Sequence, residues 1–201
     1  QAFELGAEGA FCAVDQTSKV NQIHHEKLII VRDTLAAFHN FSRSYRKQFR
    51  DLKLAAITGS VGKTTVKEML ASILLERGKT LKSPGNHNNE IGVPKTLLKL
   101  DDSYQYCITE FGTRNAGDIG TLVKIAQPDI VCCLNVGSAH LERFKNRSDL
   151  LKEKTSIFSS NNEHTIIISP ADDQEILDQA KQTKSKVVTF GFNPSADIVI
   201  K

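Results

Sequence analysis

The sequence predicts an α/β fold in which a mostly parallel sheet is flanked by helices and preceded by part of a smaller α/β domain. Three observations carry this prediction. From Leu52 onward, short apolar runs alternate with helical patterns, the signature of a parallel sheet wrapped by crossover helices. A glycine-rich segment, Gly59 to Gly62, falls between the first of those runs and the helical pattern that follows it. The 201 residues are 40% hydrophobic, enough to bury a core, with length for one full domain and part of another.

In chain order, the first fifty residues read as a helix end at Phe3–Leu5, strands near Phe11–Val14 and Leu28–Val31, and a helix from Thr34 to Phe49. Asp33 suits the N-cap of that helix, because its carboxylate can accept the unpaired N–H groups of the first turn. The basic cluster Arg43, Arg46, Lys47 and Arg50 is expected on a solvated face. A domain boundary is placed near Asp51, dividing residues 1–51 from residues 52–201. Strands are expected at Leu54–Thr58, Tyr104–Thr109, Asp129–Leu134, Thr165–Ser169 and Lys186–Phe190, with another beginning at Ala196–Ile200. Val66, Met69, Leu70, Ile73 and Leu74 recur at the spacing of one buried helical face, and Gly78 supplies the stop. The chain reads as cut at both ends, the second domain being incomplete.

Charge and cysteine usage narrow the function classes. With 26 basic and 23 acidic residues the net charge is +3, so no strong field draws the chain to nucleic acid or anionic lipid. No apolar run approaches the ~20 residues of a spanning helix. Cys12, Cys107, Cys132 and Cys133 sit in apolar segments without metal or redox spacing, and the adjacent pair would face opposite sides of a strand. They read as core thiols of a reducing compartment, which makes a cytoplasmic protein, acting as a monomer, the expectation.

The segment Ala56-Ile57-Thr58-Gly59-Ser60-Val61-Gly62-Lys63-Thr64-Thr65 joins the predicted strand to the predicted helix. In that context a glycine-rich loop lets backbone N–H groups converge on phosphate oxygens, Lys63 adds a point charge, and the helix start adds its positive dipole end. Thr64 is placed to reach Mg²⁺ through its hydroxyl. The expected fold is therefore P-loop-type, although the usual pattern has a glycine six residues before the lysine and Ile57 stands there.

Thr58 to Thr65 resembles the nucleotide loop of the Mur ligases, which join amino acids or peptides to a nucleotide-linked muramic acid. Further segments agree. Gly85-Asn86-His87-Asn88-Asn89-Glu90-Ile91-Gly92-Val93-Pro94 resembles the asparagine-rich loop of the member that adds D-alanyl-D-alanine. Glu110-Phe111-Gly112 resembles the acidic metal-binding turn, and Asn135 to Glu142, which includes His140, the histidine turn. Lys154 lies fourteen residues past His140, where that enzyme has a modified lysine. The matches run from Leu54 to Phe158, and residues 1–51 resemble the end of that enzyme's N-terminal, substrate-recognising domain.

The resemblance implies an ATP- and Mg²⁺-dependent ligase whose substrates are a UDP-linked muramoyl-peptide and D-alanyl-D-alanine. It implies nucleotide binding by Gly59, Ser60, Val61, Gly62, Lys63, Thr64, Thr65 and Asn135. It also implies catalytic roles for Lys63, Glu110, His140 and Lys154, and metal contacts from Thr64, Glu110, His140 and a carbamylated Lys154. Asn88, Asn89 and Arg114 are the substrate candidates. The residues alone leave alternatives open. Glu110 also reads as a solvated strand end, Lys152-Glu153-Lys154 as a charged helical turn, and the asparagines as ordinary turn formers.

In the implied reaction ATP phosphorylates a substrate carboxylate, and an amine attacks the resulting acyl phosphate. Two rivals stand beside it. A folate-type glutamate ligase would share the loop and the metal residues, and the Asn86–Pro94 segment argues against it. A nucleotide-binding unit without catalysis of its own is the other. A P-loop switch protein would need a guanine-reading Asn-Lys-x-Asp, which is absent from the sequence.

Overall fold

The computed structural model describes residues 2–137, 143–159 and 164–201. Its centre is a seven-stranded, wholly parallel sheet of order β4-β5-β3-β6-β7-β8-β9. The strands are β3 (Lys53–Thr58), β4 (Thr80–Lys82), β5 (Tyr106–Glu110), β6 (Ile130–Cys133), β7 (Ile166–Pro170), β8 (Lys186–Gly191) and β9 (Ile198–Val199). Before it, β1 (Ala10–Ala13) and β2 (Leu28–Val31) pair in parallel as a separate two-stranded sheet, joined by short 3₁₀ turns at Val14–Lys19 and Gln22–Lys27. Phe3–Leu5, expected as a helix end, lies in a turn closed by Leu5 N–H to Ala2 O and Gly6 N–H to Phe3 O.

Helix α1 (Thr34–Arg46) starts where Asp33 Oδ1 accepts Leu35 N–H at 2.8 Å and Ala36 N–H at 3.0 Å. It packs on α3 (Gly92–Leu97) and α4 (Asp118–Ala126), with α5 (Arg147–Thr155) and α6 (Gln174–Lys181) continuing that layer along the sheet. Leu54 and Ala56 of β3, Cys107 of β5, and Val131 and Cys133 of β6 face this layer and meet Val93, Leu97, Leu122 and Leu150 in the main core. The opposite face of the same strands presents Ile57 and Ile108 to Ala71 of α2 (Lys63–Leu75). Strand β3 is buried along all but its first residue, as a central strand covered on both faces must be.

Two expectations fail here for a shared reason. Met69 and Ile73 are 62% and 63% exposed, and the inward face of α2 runs instead through Val66, Lys67, Leu70, Ala71 and Leu74. Val66, Leu70 and Leu74 face inward as expected, and the centre of the face is shifted by roughly 60°, less than the ~100° step of one residue. Small Ala71 lets it close on the sheet, and Lys67 at the centre of the face finds polar partners. Arg46, expected in solvent with Arg43, Lys47 and Arg50, is also buried. Its guanidinium donates to Phe49 O at 2.8 Å and pairs with Asp129 at 3.1 Å, tying the end of α1 to the start of β6. In both places a charged side chain meets partners far away in sequence, which overrides the hydropathy pattern.

The cysteines are free. Cys12, Cys107 and Cys133 are buried, and Cys132, on the other face of β6, is half-buried.

Candidate active site

Strands β5, β3 and β6 are neighbours, and the loops leaving their carboxyl ends meet over the sheet where the connections diverge to either side, the usual ligand position in such folds. In register, Glu110 of β5 lies opposite Ile57 of β3, which also faces Cys132 of β6. Ile57, standing where a longer phosphate loop would have glycine, is a sheet residue whose carbonyl accepts Phe111 N–H at 2.8 Å. The loop therefore begins only at Gly59.

Gly59 has no room for a side chain, because a Cβ would stand 3.1 Å from Leu134 Cβ. Gly62 takes φ +86°, the left-handed conformation that lets it serve as the N-cap of α2. The loop is held from across the sheet by Asn135. Its Oδ1 accepts Ser60 N–H at 3.0 Å and Val61 N–H at 3.1 Å, while its Nδ2 donates to Val61 O at 3.1 Å. Ser60 Oγ in turn accepts Gly137 N–H at 2.9 Å. Thus Asn135 acts on the loop backbone, and Val61 and Thr65 are exposed around it.

Two ammonium groups converge on one carbonyl: Lys63 Nζ donates to Gly59 O at 2.7 Å and Lys154 Nζ to the same atom at 3.2 Å. Burial lowers the pKa of Lys63, and the nearby Glu110 carboxylate works against that shift. Lys154 is completely buried; burial first, and then the charge of Lys63, bring its pKa down to about 8. Burial likewise pushes the Cys133 thiol up to about 12.

Glu110 is 1% exposed. Its Oε2 accepts the Thr64 hydroxyl at 2.9 Å, whereas its Oε1 accepts no hydrogen bond and lies 3.7 Å from Lys67 Nζ. A buried carboxylate oxygen without a donor, beside a hydroxyl, is a hard-oxygen corner that suits Mg²⁺, which needs only one or two protein oxygens besides phosphates and waters. No cluster of three His, Cys, Asp or Glu side chains able to hold a metal occurs among the described residues. His140 lies outside the described residues.

Lys63 and Lys154 line a cavity of about 560 Å³ together with Asn88, Asn89 and Arg114. Asn88 is anchored through its main chain, its carbonyl accepting Gly112 N–H at 2.7 Å. Asn89 behaves as a turn former on its acceptor side, with Oδ1 taking Ile91 N–H at 3.1 Å and Gly92 N–H at 2.8 Å. Arg114 is exposed, and its N–H is held by Asp118 Oδ2 at 2.8 Å.

Four contributors were not singled out as site residues from the sequence. Leu35 and His39 of α1 line the same cavity, and His39 Nε2 lies 2.8 Å from Glu90 O. Lys67 flanks Glu110, and its place inside an apolar helical pattern was the available signal. Glu153, dismissed within a charged turn, is 5% exposed and accepts Gly117 N–H at 2.7 Å, Ile119 N–H at 2.8 Å and the Thr113 hydroxyl at 3.1 Å. It fixes the start of α4, the turn carrying Arg114, and the helix carrying Lys154. Lys152 alone of that turn is exposed.

A family model described as the Mur ligase middle domain matches residues 57–201. This chain belongs to the Mur ligases. It is 40% identical over 168 residues to the UDP-N-acetylmuramoyl-tripeptide--D-alanyl-D-alanine ligase of Escherichia coli, covering 84% of this chain and 37% of that relative. Among solved Mur ligases, the MurF ligase of Thermotoga maritima in complex with ADP matches over the whole chain and 45% of its own, at TM-score 0.86 and 29% identity. MurF from Acinetobacter baumannii matches 83% of this chain and 37% of its own, at TM-score 0.78 and 38% identity. The chain thus spans less than half the length of these Mur ligases.

Proposed function

We propose that this chain is the nucleotide-binding part of an ATP-dependent carbon–nitrogen ligase of peptidoglycan synthesis, which adds D-alanyl-D-alanine to UDP-N-acetylmuramoyl-tripeptide. The observation that carries the reading is the shared cavity: Lys63 of the phosphate loop, Lys154 and the Asn88–Asn89 turn line one space. The ADP in the Thermotoga maritima relative and the activity for which the Escherichia coli relative is named support it. Residues 1–51, with their own small sheet, are assigned to the end of a substrate-recognising domain, and residues 52–201 to the ATP-binding domain. Among the described residues no helix is long and apolar enough to cross a membrane, and we further propose a cytoplasmic, monomeric enzyme, as the free, mostly buried cysteines suggest for the compartment.

In this reading the first-turn N–H groups of α2, which have no partner within the helix, receive phosphate oxygens along with its positive dipole end. Lys63 exchanges Gly59 O for the outer phosphates. A substrate carboxylate oxygen bonds to the γ-phosphorus as the bond to ADP breaks. The amine nitrogen then bonds to the acyl carbon, phosphate leaves, and the amine sheds a proton. Mg²⁺, held by Thr64 and Glu110 with His140 and a carbamylated Lys154 as the ligands the family implies, would neutralise charge on the phosphoryl oxygens, where electrostatic positioning contributes most. The carbamate forms when the neutral amine of Lys154 bonds to CO₂ and loses a proton, converting a cation into an anion. Asn88, Asn89 and Arg114 are assigned to the muramoyl-peptide.

Titration calorimetry with ATP and Mg²⁺ tests the nucleotide assignment. The wild-type chain should bind, and Lys63→Ala should lose at least tenfold in affinity. Equal affinity of the two forms would refute the assignment.

A further inference from the structure

Lys67 is among the largest fully buried side chains of the described residues, and it belongs to none of the roles given above. It lies on α2 one turn beyond Thr64, so Glu110 is flanked by two residues of one helix face: the Thr64 hydroxyl at 2.9 Å on Oε2 and the Lys67 ammonium at 3.7 Å from Oε1. The same ammonium donates to Ser83 O at 2.9 Å and Gly85 O at 3.1 Å. Those carbonyls open the segment that leads from β4 into the asparagine turn, and Ser83 is pinned at its other end by its N–H to Ile108 O, 2.9 Å. Glu68 Oε1, at 3.4 Å, is the other carboxylate within reach.

A buried ammonium is costly unless its protons are taken up. Here two main-chain carbonyls take them, and the nearby carboxylate oxygen has no donor of its own. A methionine would fill the stem's volume, so packing alone does not call for a cation at this place.

We propose that Lys67 is a positioning residue that couples the Glu110 carboxylate to the Ser83–Asn89 segment, so that a divalent cation at Glu110 tightens the wall facing the acceptor substrate. A cation at Oε1 takes over the oxygen that Lys67 faces and repels its ammonium, which then bears more firmly on Ser83 O and Gly85 O. By linkage, order in that segment feeds back on the cation by the same factor. The inference rests on the proposed function for the identity of cation and substrate, while the Lys67 link itself is geometric.

The test uses the 201-residue chain with ADP and Mn²⁺ as the spin probe, comparing wild type with Lys67→Met. Electron paramagnetic resonance should show Mn²⁺ bound several-fold more tightly by Lys67→Met, because a competing positive charge is gone. Amide hydrogen exchange at His87 to Gly92 should slow several-fold on Mn²⁺ addition in wild type, and should be fast and indifferent to Mn²⁺ in the variant. A lysine that merely filled space and carried charge would also tighten Mn²⁺ on removal, but exchange at His87 to Gly92 would answer to the cation alike in wild type and variant. Unchanged or weaker Mn²⁺ affinity in Lys67→Met, or exchange that still answers to the cation, would overturn the coupling. If wild type binds no Mn²⁺ with ADP, the proposed function fails while the link is still decided by thermal melts: Lys67→Met should lower the midpoint less in a Glu110→Gln background than in wild type. Equal losses would sink the link as well. Should Lys67→Met not fold alone, the double variant should fold, and its failure to do so would count against the pairing.

Discussion

Glu110 and Glu153 are both almost wholly buried carboxylates, yet they are furnished differently. Glu153 receives two main-chain N–H groups and a hydroxyl, from Gly117, Ile119 and Thr113, so three donors fix it in place. Glu110 receives only the Thr64 hydroxyl, and its second oxygen is left facing Lys67 without a hydrogen bond. A buried charge with its lone pairs filled is a strut. One with a lone pair to spare costs stability as it stands and is suited to a partner that arrives from outside.

The sharpest way to break this comparison is to remove each carboxylate and measure stability and ligand binding separately. Glu153→Ala strands three donors in the interior and should cost about 2–4 kcal/mol. In a chain of this size that lowers the thermal midpoint by roughly 4–15 °C, readable by circular dichroism. A loss confined to a degree or two would show that Glu153 is no strut. Glu110→Gln should cost less stability than Glu153→Ala: it alters one hydrogen bond and removes the charge facing Lys67, whose ammonium keeps Ser83 O and Gly85 O, and it strands no main-chain donor. Its effect should appear instead as an at least tenfold weaker binding of Mn²⁺ with ADP, measured by the same resonance titration. A variant that melted early and bound the cation normally would reverse the two assignments.

A smaller effect distinguishes Lys154 from both carboxylates. Its proton is held to about pH 8 in the folded chain against 10.5 for an ordinary lysine, mainly through burial. Between those values the unfolded chain binds more protons than the folded one, so stability rises with pH there, while below pH 8 the full penalty persists. In CO₂-free buffer, Lys154→Met should therefore have the higher urea midpoint at pH 7, with the gap narrowing from pH 8 to 10.5. A gap independent of pH would refute this account of its burial. The smallest effect belongs to the outer face of α2: Met69→Lys should shift stability by less than about 0.5 kcal/mol. A larger loss would mean that the apolar spacing had identified the buried face correctly after all.

The parallel sheet was legible because strands covered on both faces leave unbroken apolar runs, and β3, β5, β6, β7 and β8 lie within two residues of their expected places. Strand β4 was missed because three residues, the half-buried Thr80 and Leu81 and the exposed Lys82, carry no period. Helix α3 was hidden in a segment read as a loop. Pro94 falls in its first turn, where a missing N–H interrupts no helical bond, so a residue that usually argues against a helix is tolerated. Within the site, glycine spacing revealed Gly59 to Thr65 because that chemistry is local in the chain. Arg46 and Glu153 read as surface charges because their partners, Asp129 for Arg46 and Ile119 for Glu153, are dozens of residues away, and Lys67 drew no reading of its own. A polar residue's fate depends on what it meets, and hydropathy records only what it is.

The placing of β3 between two strands made later in the chain has a consequence for how the protein is born. Leu54 and the Asp129 carboxylate that its N–H reaches are 75 residues apart, and β6 follows directly after Asp129. At a synthesis rate of about 5–20 residues per second, β3 and the phosphate loop leave the ribosome some 4–15 s before their second neighbour exists. During that interval one edge of the most continuously buried strand is unpaired, and pairings across such long separations form slowly. The segment that defines the site is thus the first part of the sheet to be made, yet it waits for a neighbour that follows 75 residues later, so its chemistry is encoded beside an edge that stays open while the chain grows.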